Sequence, residues 1–222
     1  MKEKEKEVVC DLRKQGLSVD EICRKTNVSK STVFHWIRNI ILTKEQYKKL
    51  KDSKGRSFDG VYKGSLVMKQ KSLLNRKEYQ NIGREKIKQK EDEYVAGCML
   101  YWAEGGKARN VMRFVNSDVE MVKFFIKFLR KYFNVKNDDF RIRVNCYLNN
   151  GLSEDEIKKY WLNILQLPES CMKKCQIKQG GRSKGKLLYG ICELSVCDTQ
   201  LVQQIFGSIQ GYIGFEEIKW LS

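Results

Sequence analysis

The sequence predicts an α+β protein in three parts: an all-α N-terminal module, a basic helical linker and a C-terminal α+β domain built on an antiparallel sheet. Three observations carry this expectation. The first 44 residues hold helix-capping signals around short apolar repeats. Residues 45–92 hold a run of cations with few large apolar side chains. From Glu93 onward, helical periodicity alternates with strict two-residue alternation, as in FRIRVNCYL.

The 222 residues carry 43 Lys and Arg against 27 Asp and Glu, a net charge of +16. At 41% hydrophobic, the chain is too apolar to be disordered throughout. The charge calls for a polyanionic partner, and nucleic acid is the default. No run of about 18 apolar residues is present, which argues against a membrane partner. The start, MKEKEKEVV, lacks the apolar stretch of a signal peptide, and the eight cysteines are dispersed. The expectation is a cytoplasmic, nucleoid-associated protein with reduced thiols. The single proline, Pro168, favours long helices.

Residues 5–16 read as a first helix, with Gly16 suited to the position just past its end. Ser18 followed by Glu21 forms a capping box that opens a second helix over about Val19–Lys25. Asn27 stands where the chain must turn left-handed, and Ser29 caps a third helix over about Lys30–Ile40. Ile22, Cys23, Val28, Val33 and Trp36 are the inward positions. Lys30, Ser31, Phe34, His35 and Arg38 point outward. His35 is the only histidine, so a metal role there has no second ligand of its kind.

The set Gly16, Ser18, Glu21, Ile22, Cys23, Asn27, Val28, Ser29, Ser31, Thr32, Val33 and Trp36 resembles the helix-turn-helix of resolvases, invertases and transposon-encoded regulators. Cys23 for a small residue and Asn27 for the turn glycine are its departures. The resemblance implies that the third helix lies in the major groove of double-stranded DNA. Lys30 and Arg38 would then take guanine or phosphate, Phe34 a thymine methyl and Ser31 a base or phosphate, with His35 either groove-facing or merely solvated.

Residues 45–90 carry 14 basic and 5 acidic side chains, net +9. Gly55, Gly60 and Gly64 make the first half loop-like, and helix formers dominate from Ser65 to about Asp92. The bland reading is a solvated linker helix; the functional reading is an arm that tracks phosphates and strengthens binding by counterion release.

In the domain over 93–222, an apolar helix ends at Gly105 and Gly106. Then come a strand (Val111–Val115), a helix (Asp118–Phe133), a strand (Phe140–Leu148), a helix (Ser153–Leu165), strands near Lys174–Lys178 and over Leu188–Cys197, and a helix (Thr199–Ser208). In the second strand Phe140, Ile142, Val144, Cys146 and Leu148 face one side, and Arg141, Arg143, Asn145 and Tyr147 the other. In KCQIK, Cys175 and Ile177 are inward, with Lys174, Gln176 and Lys178 outward. Both outward sets are cationic without an acid, which suggests a nucleic-acid surface. The loop GGRSKGK supplies Arg182, Lys184 and Lys186 as further phosphate contacts. The spacings Cys171–Cys175 and Cys192–Cys197 are loosely zinc-like, but Cys192 and Cys197 point to opposite faces of a strand.

The segment Gly97–Gly105 resembles the nine-residue motif of LAGLIDADG homing endonucleases. Leu100, Ala103, Glu104 and Gly105 match, while Met99 and Trp102 depart. The resemblance implies units running α-β-β-α-β-β-α with a sheet in the major groove. It also implies that Glu104 would be catalytic as a ligand of Mg²⁺, in a homodimer that supplies the second acid. WhiA-type sporulation regulators join a LAGLIDADG-like domain to a helix-turn-helix and are regarded as binders without nuclease activity. The expected function is therefore sequence-specific binding of double-stranded DNA with no certain cofactor. The alternative is a Mg²⁺-dependent endonuclease. An RNA-binding factor fits the helix-turn-helix less well.

Overall fold

In the computed structural model, residues 2–51, 58–147, 151–177 and 187–221 are described. The chain divides into two compact units, residues 1–72 and 73–222, and the division falls inside the segment expected as a linker.

The first unit holds α1 (Lys2–Lys14), α2 (Val19–Thr26), α3 (Lys30–Ile37) and α4 (Lys44–Lys51). Local signals explain the first three. Gly16 adopts φ +94° after α1, and Asn27 takes the left-handed turn at φ 55°. The side chains of Ser18 and Ser29 cap α2 and α3. Val9, Ile22, Val33 and Ile37 are buried at the centre, and Leu12, Leu17, Val28 and Trp36 pack around them. Trp36 is half-buried, so Ile37 rather than Trp36 is the deeper anchor of α3. The unit continues past Lys44 through α4. Thr43 and Gln46 form a second capping box, with Thr43 N donating to Gln46 Oε1 at 2.9 Å. Gln46 Nε2 then donates to Lys14 O at 2.7 Å, tying α4 to the end of α1. A Cβ on Gly16 would lie 2.9 Å from the Gln46 side chain, so glycine serves both the backbone turn and this approach.

The expected basic helix is α5 (Phe58–Ile87). It starts earlier than its composition suggests, with Gly60 and Gly64 inside it. Its second half is no solvated arm. Arg76, Gln80, Gly83 and Ile87 recur at helical spacing and are buried in the second unit.

That unit continues with α6 (Asp92–Glu104), β1 (Met112–Asn116), α7 (Val119–Phe133), β2 (Phe140–Cys146), α8 (Glu154–Leu165), β3 (Gln176–Ile177), β4 (Ile191–Val196) and α9 (Thr199–Ile213). The four-stranded sheet runs β1-β4-β2-β3. β4 pairs antiparallel with both β1 and β2, but β3 pairs parallel with β2. The sheet is therefore mixed and not purely antiparallel. The reason is α8: a helical crossover returns the chain to the same end of the sheet, and the next strand then runs parallel. β3 is also only two residues long, and Ile177 on it is 41% exposed. Only Cys175 of the expected inward pair is buried, because a short edge strand is covered on neither side.

Met112, Phe114, Phe140, Ile142, Val144, Cys146, Cys192, Leu194 and Val196 form the buried face of the sheet. Phe125 of α7 stacks on Phe114 at 4.4 Å and on Tyr101 of α6 at 5.7 Å. The last helix, α9, runs to Ile213, past the expected stop at Ser208, and Gly214 ends it at φ 83°. Residues 201–210 are all buried, four polar ones among them. Gln203 accepts from Gln80 Nε2 at 2.7 Å and donates to Arg109 O and Trp220 O, both at 2.8 Å. α5 and α9 touch backbone to backbone. A Cβ on Gly83 would lie 2.0 Å from Gln204 O, and one on Gly207 would lie 1.9 Å from Gln80 O.

Candidate nucleic-acid interface

The recognition candidate is the exposed face of α3, and the chemistry around its start fixes its aim. Ser18 N donates to Glu21 Oε2 at 2.8 Å, and Glu21 N to Ser18 Oγ at 3.2 Å. These bonds, the Ser18 side chain first, hold the Glu21 carboxyl below the usual range. The Asn27 N–H donates to Cys23 O, closing α2 in the turn. Thr32 N reaches Ser29 Oγ at 3.4 Å, and Ser31 Oγ lies 3.2 Å from the same hydroxyl. Lys30, Ser31, Phe34, His35 and Arg38 are all exposed, while Val33 and Ile37 are buried. The outward set read from the sequence thus shares one face. Phe34 is 53% exposed, a large apolar ring turned toward solvent. Lys30 is not a free cation: its Nζ lies 2.7 Å from Asp20 Oδ1, and Asp20 raises its pKa.

The second candidate is the polar face of the sheet. Across the strands, Arg113 faces Ser195 and Ser195 faces Arg141; Val115 faces Glu193 and Glu193 faces Arg143. Arg113 and Arg143 are exposed and Arg141 is half-buried. Arg141 also hydrogen-bonds Phe140 O at 2.7 Å and the carbonyl of Asp138. Arg113 was missed in the sequence, although the alternation MRFVN opposes it to Met112 and Phe114. The face is not free of acid, because β4 brings Glu193 between the arginines. Lys174 is exposed and lines a cleft of about 610 Å³ with Lys158, Lys159 and Lys173. Lys178, Arg182, Lys184 and Lys186 lie outside the described residues.

Three cations of the basic linker are committed inside the second unit. Arg76 Nε donates to Leu221 O at 2.8 Å. Arg84 pairs with Glu216 at 2.9 Å. Lys86 donates to Tyr132 O at 3.1 Å and sits 4.7 Å from the Tyr94 ring centre and 5.2 Å from that of Tyr132. Burial lowers the pKa of Arg76 and of Lys86.

Glu104 is exposed at the last position of α6. Gly105 follows because a Cβ there would lie 2.4 Å from Tyr101 O. Lys107 Nζ donates to Trp102 O at 2.9 Å and Gly105 O at 2.6 Å, so a cation caps the negative end of the helix. Gly97 lies against Phe128, which a Cβ would meet at 2.2 Å. Among the described residues, no three His, Cys, Asp or Glu side chains are grouped to hold a metal. Cys192 is buried on β4, and Cys197, just past the end of that strand, is exposed.

Residues 1–40 match the family model of the homeodomain-like domain. No curated protein and no solved structure matches the chain. No described helix is long and apolar enough to cross a membrane. The N-terminal forty residues are therefore a homeodomain-like helix-turn-helix, a DNA-binding module.

Proposed function

We propose that the chain is a sequence-specific binder of double-stranded DNA that acts as a non-catalytic, cytoplasmic, nucleoid-associated regulator. The observation that carries this reading is the outward face of α3. Lys30, Ser31, Phe34, His35 and Arg38 project from a helix whose start and turn are fixed by two caps and a left-handed Asn27. In a helix-turn-helix that face enters the major groove. Arg38 would take guanine or a phosphate, and Phe34 a thymine methyl. Arg113, Arg141, Arg143 and Lys174 would add contacts from the second unit, as would Lys178, Arg182, Lys184 and Lys186.

The second unit is read as a LAGLIDADG-like scaffold. Support comes from the order α6-β1-α7-β2-β4-α9, with an isolated bridge between Gly105 and Phe114 where the family has a further strand. On this reading α8 and β3 are an insertion. One observation favours a second function, a Mg²⁺-dependent endonuclease acting as a homodimer. Ala96, Met99, Leu100 and Ala103 form a partly exposed seam on α6, and Glu104 stands at its end. Two copies joined along that seam would bring two Glu104 carboxylates together, as metal-assisted cleavage requires.

Selection from a random duplex pool in Ca²⁺, followed by transfer to Mg²⁺, tests both. The expected result is an enriched motif that stays intact. Cleavage by the parent protein and not by Glu104→Gln would replace the regulator with the nuclease. Absence of any enriched motif would overturn sequence-specific binding.

A further inference from the structure

Lys30 is the first residue of α3, at the helix end that a helix-turn-helix presents to DNA. Asp20 lies in the first turn of α2, and its carboxylate meets the Lys30 ammonium at 2.7 Å. Both side chains are well exposed, 60% for Lys30 and 69% for Asp20, so the pair is screened and exchangeable. An ammonium has three donors. With one given to Asp20, two remain for a ligand. The pair as a whole is neutral, and what it can approach follows from that. A guanine edge offers neutral acceptors, O6 and N7, which Lys30 can meet without losing Asp20. A phosphate oxygen is anionic. Bringing it to Lys30 either breaks the pair or sets two negative groups side by side.

We propose that Asp20 is a specificity-determining residue, which neutralises Lys30 toward phosphates while leaving it able to read a base edge. This rests on the duplex-binding reading above. Asp20 acts through Lys30 and is a positioning residue. Its effect is to suppress binding at the many sequences that offer only phosphates.

The test uses the full chain with Asp20→Asn, Lys30→Met and the double variant. Each is titrated with salt on a non-specific duplex and on the selected motif, and its thermal midpoint is recorded. Asp20→Asn should tighten non-specific binding by up to about five-fold, the limit that an exposed ion pair can supply. Its salt dependence should steepen by about one counterion. Affinity for the motif should change less, so the specificity ratio falls. In the Lys30→Met background, Asp20→Asn should tighten binding less, because no ammonium is freed to meet a phosphate. Equal tightening in that background would show plain repulsion by Asp20 and overturn the proposal, as would an unchanged salt slope in Asp20→Asn. A parent protein that binds no duplex at all would remove the DNA-reading face itself, an outcome visible before any variant is compared.

Discussion

The side chains that α3 turns outward differ in what their loss would do. Phe34 is more than half exposed, so Phe34→Ala should leave the thermal midpoint of the first unit nearly unchanged. If Phe34 covers a thymine methyl, the variant should lose preference at one base pair of the selected motif and keep its salt slope. An unaltered motif would exclude Phe34 from base reading. The cysteines make a second contrast at this scale. Burial pushes the Cys98 and Cys192 thiols up to about 12, so neither presents a thiolate near neutral pH. Cys197 is exposed. Thiol titration of the folded protein should therefore modify Cys197 fastest and Cys98 and Cys192 only on unfolding, read by mass spectrometry. Early labelling of Cys192 would contradict its place under the sheet.

At the scale of elements, local chemistry was legible and tertiary chemistry was not. Ser18, Glu21, Asn27 and Ser29 announce α2, the turn and α3 because capping is written within four residues. The same signal at Thr43 and Gln46 marks α4, although a boundary drawn at Lys44 cuts through it. The parallel pairing of β3 could not be read from KCQIK, because alternation carries the face of a strand and not the direction of its neighbour. The close packing of α5 on α9 was hidden for another reason. Gly83 and Gly207 look like helix-weakening residues until their partners, Gln204 and Gln80, are known. A methyl group at either would meet a carbonyl oxygen at 2.0 Å or less. Gly83→Ala and Gly207→Ala should therefore each destabilise the second unit by about 1–3 kcal/mol or more, although alanine favours helix elsewhere. Denaturant unfolding measures this, and a stabilised Gly83→Ala would mean the two helices can move apart at little cost. Acid should act on the first unit through the caps. The Glu21 carboxyl is depressed in the folded state, so its contribution is present above the unfolded carboxylate range and is lost as pH falls through the lower, folded value. Glu21→Gln should flatten the fall in thermal midpoint below about pH 4.5.

For the whole molecule, the charge of +16 separates into cations that hold the fold and cations that face solvent. Composition could not make that division, because a lysine in a cation-rich stretch reads the same whether it meets water or a ring of tyrosines. Arg76, Arg84 and Lys86 belong to the first kind. Lys69, Lys71 and Lys77 are exposed on the same helix and belong to the second. The two sets should separate cleanly in a salt titration on duplex DNA. Replacing Lys69, Lys71 and Lys77 with glutamine should leave stability within about 0.5 kcal/mol. If all three meet phosphates, it should also reduce the slope of log affinity against log salt by up to about three. Replacing Lys86 with methionine should keep the slope but lower stability. The ammonium that caps Tyr132 O and lies over the rings of Tyr94 and Tyr132 is lost, and only its apolar stem is replaced. An unchanged slope in the triple variant would show that these three lysines touch no phosphate. α3 and the arginines of the sheet, Arg113, Arg141 and Arg143, would then be the next candidates for the counterion release. The same titration on their alanine variants would show which of the two faces contributes.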